Sequence, residues 1–436
     1  MKRYDSYKDS GVAWIGEIPG HWEVVRFSQH FSFGKGLPIT KADLIEDGIA
    51  VISYGQIHSK LNAATSMTKQ LVRYVSSTYL DSHPQCLLNK GDFIFADTSE
   101  DIEGSGNFAF NDYADKIFAG YHTLVARPMD IPFPKYLAYL FKSKDWKSQI
   151  QGIVNGVKVY SISKGKLKGT TFILPPLSEQ ELIVCYLDNK LLKIDAYVGE
   201  KEREIVALEE LRQSEIARIV CKGLNADVRM RDSGIAWIGE IPEHWEVVRL
   251  GNLFTENKTK NTDLEYTRAL KFNYGSLVPK GESGDLSDLE DTYSGYTKIK
   301  KNDIAINGLN LNYDLVSQRV AIAKENGILT SAYLILSPRE GVNADYFAYL
   351  FKGMDAKKLF HGMGTGIRLT LSYTELKKQA LVVPPLSEQR AIVSHIEKRL
   401  CEIDLMVVSL RRQIECLSEL RQRLISDAVT GRVRIE

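Results

Sequence analysis

Eight histidines, five cysteines and 55 acidic residues give this chain ample material for bond-making chemistry, but not the spacing for it. A phosphate-cradling loop needs G-x-x-x-x-G-K-[ST], a zinc protease H-E-x-x-H and a serine hydrolase G-x-S-x-G, and none of these occurs. The methyltransferase signature of Asn or Asp followed by Pro-Pro-Tyr or Pro-Pro-Phe is absent as well. The glycines of GMGTG (Gly362–Gly366) look like a fragment of a dinucleotide loop. GIVNG (Gly152–Gly156) falls at the matching place in the first half, however, and a glycine turn that occurs twice reads as structural. His21 and His244 also match, beside Trp22 and Trp245, and read as packing and turn residues. The carboxylates of SEDIEG (Ser99–Gly104) have the chemistry to hold a metal, but without a counterpart in the second half they read as a solvated loop. Cys86, Cys185, Cys221, Cys401 and Cys416 are scattered with no C-x-x-C pair, which argues against zinc or a disulfide framework and for a reducing cytoplasm. The expectation is a non-catalytic chain with no metal or cofactor of its own.

What the sequence does contain is repetition. DSGVAWIGEIPGHWEVVRF (Asp9–Phe27) and DSGIAWIGEIPEHWEVVRL (Asp232–Leu250) agree at 16 of 19 positions. YLAYLFK (Tyr136–Lys142) returns as YFAYLFK (Tyr346–Lys352), PPLSEQ (Pro175–Gln180) recurs at Pro384–Gln389, and LEELRQ (Leu208–Gln213) returns as LSELRQ (Leu417–Gln422). The order is the same each time, and the offsets are 223, 210, 209 and 209 residues. The 436 residues are therefore two copies of one plan, long enough for two cores. Between the anchors, residues 28–130 and 251–340 share almost nothing that aligns by eye.

The elements that must position these motifs follow from local pattern. Two prolines precede each Leu-Ser-Glu-Gln and discourage helix there. Ser178 and Ser387 are expected N-caps, with Glu179 and Glu388 on the positive end of the helix dipole; Ser178 with Glu181 has the form of a capping box. A heptad stripe follows each cap: Leu187, Leu191, Ile194, Val198, Ile205 and Leu208 in the first copy, and Ile396, Leu400, Ile403, Val407, Leu410, Ile414 and Leu417 in the second. Polar breaks fall at Lys201, Arg212, Glu215 and Arg421; Lys201 and Arg212 either face partners or mark frayed, exposed turns. Each helix would be about 60–67 Å long at 1.5 Å per residue. An antiparallel coiled coil between the two fits best, with a pseudo-twofold axis relating the halves and the chain termini close together. The segments GIAVISYGQI, GDFIFAD and YHTLVARP in the first insert, and NDIAING, RVAIAKENGI and AYLILSP in the second, read as short strands. Pro134–Gln151 and Ala344–Phe360 read as amphipathic helices. The fold class expected is mixed α/β (α+β), divided as a first head with its repeat at 1–176, a long helix at 177–224, a second head at 225–385 and a second long helix with the C-terminus at 386–436. No apolar run approaches the roughly 18 residues that span a bilayer, and the polar MKRYDSYKDSG start has no secretory h-region.

The repeated DSGVAWIGEIPGHWEVVR, the PPLSEQ that opens each long helix and LRQRLISDAVTGRV near the C-terminus resemble the specificity subunit of type I restriction–modification systems over the whole chain. The resemblance implies two target-recognition domains joined by two long helices. Each domain would read one half of an asymmetric, bipartite site in double-stranded DNA, and the shared frame would bind two methyltransferase subunits. Two restriction/translocase subunits complete the complex, and S-adenosylmethionine, ATP and magnesium belong to those partners. The duplicated frame with unlike heads agrees, since such a frame holds two different readers at one spacing.

Phosphate contacts want Lys and Arg, and base edges want Arg, Lys, Asn, Gln, Ser or Thr. The candidates in the first half are Lys158, Tyr160, Lys164, Lys166 and Lys168 in GVKVYSISKGKLKG, with Lys35, Lys41, Tyr54, Gln56 and His58 in the insert. Those in the second half are Arg368, Thr370, Ser372 and Lys377 in GIRLTLSYTELKK, with Lys258, Lys260, Lys271, Asn273, Tyr274, Asn310 and Asn312 in the insert. A lysine run is more often a solvated face, and a net charge of +1 gives no global hint of a polyanion partner. Trp14, Ile15, Ile18 and Trp22 of the opening repeat read as a clasp between head and helix end, ahead of a role in docking a methyltransferase. The rival to DNA reading is a coiled-coil scaffold without sequence-specific binding, which leaves the divergence of the heads unexplained.

Overall fold

A computed structural model describes residues 2–62, 65–113, 115–154, 156, 159–273, 275–281, 292–312, 318–366 and 369–436. Two compact units emerge: Met1–Lys201 with Arg412–Glu436, and Glu202–Arg411. Each unit contains one head, the start of one long helix and the end of the other. The units therefore cut across the segments drawn from sequence, because a head buries its apolar surface on the helix ends beside it.

The first head is built on a four-stranded antiparallel sheet in the order Phe31–Lys35, Thr123–Pro128, Phe93–Ala96, Phe108–Phe110. Alternation sorts its side chains. Phe93, Phe95, Phe108 and Phe110 join a core with Tyr136, Phe141, Trp146 and Ile150 of the head helices. Ile94, Ala96, Ala109 and Val125 face the other way, onto Ile52, Ile57 and Met67. A second sheet pairs Ile49–Ile52 in parallel with Ile117–Ala119 and antiparallel with Arg73–Val75.

The second head repeats the main sheet. Its order is Phe254–Glu256, Leu334–Pro338, Ile304–Ile306, Val320–Ile322, again antiparallel throughout. Ile304 and Ile306 pack with Phe347 and Phe351 of the head helix, while Ala305 and Ile335 face Leu270, Ile299 and Leu329. Inserts that do not align by eye thus build the same scaffold. The expected helix Pro134–Gln151 is two helices, Lys135–Lys142 and Lys144–Ile153. Buried Ser143 divides them: its hydroxyl donates to the Leu140 carbonyl (2.6 Å) and accepts from the Trp146 amide (3.2 Å). In the second head the helix Ala344–Ala356 stops and a 3-10 turn, Leu359–Met363, follows.

The long helices are Leu177–Lys222 and Leu386–Val429. Ser178 is not the N-cap. The Pro176 carbonyl accepts from the amides of Glu179 (2.9 Å) and Gln180 (3.0 Å), and Pro385 does the same for Glu388 and Gln389. Proline, with φ already near the helical value, takes the cap position, and the serine moves inside the first turn. The glutamine of PPLSEQ then reaches back, with Nε2 of Gln180 and of Gln389 2.8 Å from the carbonyls of Pro175 and Pro384.

The helices run antiparallel within each unit. In the first, Leu187, Leu191 and Ile194 share a core with Ile425 and Ala428, flanked by Val198, Leu417 and Leu424. In the second, Ile219 shares one with Ile396 and half-buried Leu400. Ile403, Val407 and Leu410 are buried, and Ile205, Leu208 and Ile414 half-buried. The polar breaks have a third explanation beyond the two expected of them. Arg212 pairs with Asp404 on the other helix (3.1 Å), and Arg421 with Asp195. Each pair is the other's copy, 209 residues along at both partners. Glu215 meets Arg399 at 3.3 Å. Lys201, the remaining break, is half-buried.

The repeated phrases turn out to be one another's partners. Glu179 of PPLSEQ accepts from Trp22 Nε1 (3.0 Å) and lies 2.5 Å from His21 Nε2; Glu388 does the same with Trp245 (2.9 Å) and His244 (2.5 Å). Tyr136 donates to the Val429 carbonyl (2.9 Å) and Tyr346 to the Val220 carbonyl (2.7 Å), so each head helix satisfies an orphan carbonyl at the end of the opposite long helix. Past those ends lie Gly431 and Gly223, at φ of +71° and +76°. A Cβ on Gly431 would meet Pro19 Cδ at 2.5 Å, and one on Gly223 would meet Trp245 at 3.1 Å. The clasp reading of the opening repeat is what the geometry displays. The termini meet as expected: Lys2 bridges Arg434, and its ammonium lies 3.0 Å from Glu436.

Both motif tyrosines are fully buried, and burial holds their hydroxyls protonated well above the usual range. Tyr136→Phe and Tyr346→Phe should each lower unfolding stability by about 1–2 kcal/mol, because each strands a buried carbonyl. Urea denaturation followed by circular dichroism reads this, and unchanged midpoints would remove the tyrosines from the frame.

Candidate nucleic-acid interface

The candidate side chains fall into a few places on each head. In the first, Lys164 and Lys168 lie on the helix Lys164–Lys168, which Ser163 caps by accepting from the Lys166 amide. Their ammonium groups stand 6.0 and 5.7 Å from the ring centre of Phe33. Lys35, exposed at the end of the same strand, projects from the face that Phe33 occupies. Lys35, Lys164 and Lys168 thus form one basic patch. Lys166 is half-buried, as is Tyr160 in the short strand Tyr160–Ser161, and Lys41 is exposed on a separate 3-10 turn. Lys158 lies outside the described residues.

Tyr54, Gln56 and His58 cluster on the helical turn Tyr54–Ile57, but two of the three are already committed. Gln56 Oε1 accepts from the Ser53 amide (3.1 Å). The His58 ring lies 2.8 Å from the Thr98 carbonyl and 3.2 Å from Asn107 Nδ2. Tyr54 packs edge-on against Tyr121 and His122, 5.6 and 5.4 Å between centres. Tyr54, His58 and His122 border an open cleft of about 850 Å³ that also takes in Glu100, Asp101 and Lys147.

In the second head, Lys258 pairs with Glu256 (2.8 Å), and Lys260 donates to the Gly295 carbonyl (3.0 Å) and bonds Ser331. Lys271 and Asn273 are exposed on the hairpin Leu270–Asn273/Ser276–Pro279. Ser372 is a cap, accepting from the Glu375 amide (3.4 Å), and Lys377 is exposed at the far end of that helical turn. Tyr274 and Arg368 lie outside the described residues. Asn310, Asn312 and Thr370 do come together: the Leu311 amide donates to the Leu369 carbonyl (3.2 Å) and the Leu371 amide to the Gly308 carbonyl (2.9 Å). Both asparagines are exposed on either side of fully buried Leu311.

Pattern reading passed over Arg319, which is fully buried and opens the strand Val320–Ile322. Its Nη1 donates to the carbonyls of Asn307 (3.0 Å) and Leu309 (2.8 Å), and its amide to Asp355 Oδ2 (2.7 Å). Burial raises the Asp355 carboxyl above its ordinary range against those hydrogen bonds. A lone arginine next to an apolar run was the only available signal. The lysine ending each YxAYLFK motif was passed over too. Burial lowers Lys142 to about 7, with Arg421 and Lys147 adding repulsion, and lowers Lys352 in the same direction. Lys142 donates to the Asn62 carbonyl at 2.8 Å, so it ties the head helix to the insert of the same head rather than serving an outer surface. Among the described residues no group of three or more His, Cys, Asp or Glu side chains could hold a metal ion. No helix among them is long and apolar enough to cross a membrane.

A family model, described as the type I restriction modification DNA specificity domain, matches residues 19–203 and 242–415. The chain belongs to that family. The two matched stretches correspond to the two copies of the plan, each running from the repeat to its long helix. A putative type I restriction enzyme MjaX specificity subunit of Methanocaldococcus jannaschii is 25% identical to this specificity-family chain, over 97% of it and 96% of the relative. The EcoBI specificity subunit of Escherichia coli is 23% identical over 65% and 63%. Among solved structures, a chain from work on complex assembly and conformational transition of the type I R-M system superposes with a TM-score of 0.68 at 16% identity, covering 95% of this chain and 99% of that one. The HsdS subunit from Thermoanaerobacter tengcongensis gives 0.51 at 17% identity, over 95% and 98%. At these identities the structures speak for the fold.

Proposed function

We propose that this chain is the sequence-specific DNA-recognition subunit of a type I restriction–modification complex. Each head reads one half of an asymmetric, bipartite site in double-stranded DNA, and the long helices set the unread spacer between the halves. The observation that carries this is one duplicated sheet-and-clasp frame bearing two heads of unlike surface. A pure scaffold has no use for that difference.

The long helices are the docking surface for two methyltransferase subunits in this reading. Beside the buried seam they expose Leu192, Tyr197, Val206 and Leu211 on the first helix and Leu405, Met406, Val408 and Leu420 on the second. Leu192 and Val206 share a heptad position, as do Tyr197 with Leu211 and Met406 with Leu420. Apolar residues that flank a coiled-coil seam widen it for further helices. Two restriction/translocase subunits complete the assembly. Methyl transfer and translocation, with S-adenosylmethionine, ATP and magnesium, reside in those partners. This chain is non-catalytic and acts with them in the cytoplasm.

The basic patch of Lys35, Lys164 and Lys168 serves as a phosphate contact in the first head. Lys164→Ala and Lys168→Ala should weaken binding of the methyltransferase-bound complex to every duplex alike. Each should reduce the slope of log affinity against log salt by about 1. Fluorescence anisotropy over a salt series measures this, and unchanged slopes would take the patch off the DNA path.

The function as a whole is tested by sequencing the methylome of cells that carry this chain with its cognate methyltransferase subunit, against cells lacking the chain. A two-part asymmetric methylated motif with a fixed spacer, present only with the chain, is expected. If the complex assembles and no motif depends on this chain, the scaffold reading takes over.

A further inference from the structure

Loop 307–312 of the second head has a counterpart. In both heads the third strand across the main sheet, Phe93–Ala96 in the first and Ile304–Ile306 in the second, follows a turn held by a buried aspartate. Asp92 Oδ2 accepts from the Asn89 amide (2.8 Å), and Asp303 Oδ2 from the Lys300 amide (2.9 Å). In both heads the loop leaving that strand is zipped to the segment that follows the head helices. In the first, Thr98–Ser99 pairs with Tyr160–Ser161; in the second, Gly308 and Leu311 bond Leu371 and Leu369. Counted from the aspartates, Ser99 and Asp101 fall where Asn310 and Asn312 stand. The backbone device is shared and the tip chemistry is not: Glu100, Asp101 and Glu103 on one side, two amides on the other. A position where the scaffold repeats and the side chains differ is where two heads of one frame can differ in what they read.

The second tip is unusually well held. Leu311 is fully buried beneath it. A Cβ on Gly308 would lie 2.8 Å from Leu371 Cβ. The Arg319 guanidinium grips the carbonyls of Asn307 and Leu309, and its own amide is anchored on Asp355 of the head helix. Asn310 holds φ at +50°, a conformation asparagine tolerates better than most side chains. That conformation accounts for an asparagine at 310 but not at 312. Asn307 spends its side chain locally, accepting from the Leu309 amide (3.2 Å). The Asn310 and Asn312 amides have no hydrogen-bond partner among the described residues, and both are exposed.

We infer that Asn310 and Asn312 are specificity-determining residues that read adenine in the half-site of the second head, and that Arg319 is the positioning residue that fixes them. This rests on the DNA-reading function proposed above. A carboxamide carries a donor and an acceptor side by side. The major-groove edge of adenine presents the complement, acceptor N7 beside the N6 amino donor, whereas guanine presents two acceptors. A flexible loop would lose much of the affinity of such a contact to ordering entropy, and the bracket of Arg319, Gly308 and Leu311 removes that loss beforehand. A carboxylate in the same place can only accept, and so suits the cytosine N4 amino group instead.

The test uses the chain with its cognate methyltransferase subunit and the methylome readout, the unmutated first head serving as internal control. Asn310→Gly keeps the left-handed backbone and removes the amide; Asn312→Ala removes the other. Each should relax one adenine position of one half-site by about tenfold or more in discrimination, leaving the other half-site and the spacer unchanged. Asn312→Asp should turn that position away from adenine toward cytosine. Arg319→Lys should relax the same positions without lowering the yield of purified complex, a selective effect that a purely structural role does not produce. An unchanged motif in both surface variants, relaxation only at positions other than adenine, or joint loss of both half-sites overturns the inference. Absence of any motif with the unmutated chain would instead overturn the DNA-reading function itself.

Discussion

One carboxylate at the first turn of each long helix holds the frame together. Glu179 and Glu388 each receive an indole N–H from the opening repeat and lie within hydrogen-bond distance of its imidazole. Tyr4 adds a third donor to Glu179 at 2.9 Å. Burial pushes the Glu179 carboxyl up, but the bonds from Trp22, His21 and Tyr4 outweigh it and keep the group below its ordinary range. The charge therefore stays where the helix dipole favours it. The same indoles cover the glycine turns that end the opposite helices. One residue pair in each unit thus ties together a helix start, a helix end and a head. That explains why HWEVVR and PPLSEQ are each present twice while the intervening sequence is free to differ.

The free sequence is constrained in a weaker way. Each main sheet asks only for alternation, with large side chains toward the head helices and smaller ones toward the outer layer. Phenylalanine meets this demand at 93, 95, 108 and 110, and aliphatic residues meet it at 304, 306 and 320. Both solutions fill a core, and they share no identities that alignment by eye would catch. The fold of a head is therefore compatible with wide change at its edges, as two readers carried on one frame require.

Much of the architecture was legible because it is periodic or repeated: the duplication, the heptad seam and most strands needed only spacing. The misses have local causes. A proline with φ preset for helix took the cap from Ser178. A buried hydroxyl at Ser143 cut one amphipathic helix into two. Arg212 and Arg421 looked like flaws in a stripe because their partners, Asp404 and Asp195, lie on the other helix about 190 and 230 residues away in sequence. The candidate interface was less legible, since composition does not distinguish a polar side chain that faces out from one that caps a turn. Gln56, Ser372 and Lys260 are of the right types, and each is engaged within the head. Arg319 carries the reverse lesson: the side chain that shapes an exposed loop is itself hidden.

The copied ion pairs bear on how the frame tolerates such heads. Asp195 with Arg421 and Asp404 with Arg212 stand at equivalent points of the two units, next to the lysine that ends each head helix motif. Asp195 is half exposed and Asp404 more so, so neither pair contributes much stability on its own. Their physical value is register. A heptad seam alone permits slippage by seven residues, and a slip would oppose each arginine to the wrong side chain and leave the nearby buried lysine beside an unbalanced charge. Register matters more here than in an isolated coiled coil, because the helix ends carry the sockets for Trp22, Trp245, Tyr136 and Tyr346. A shift of one heptad would move those sockets by about 10 Å at 1.5 Å per residue. Within each unit, the copied pair therefore fixes which turn of one helix faces which turn of the other, and so where the socket at the helix end stands.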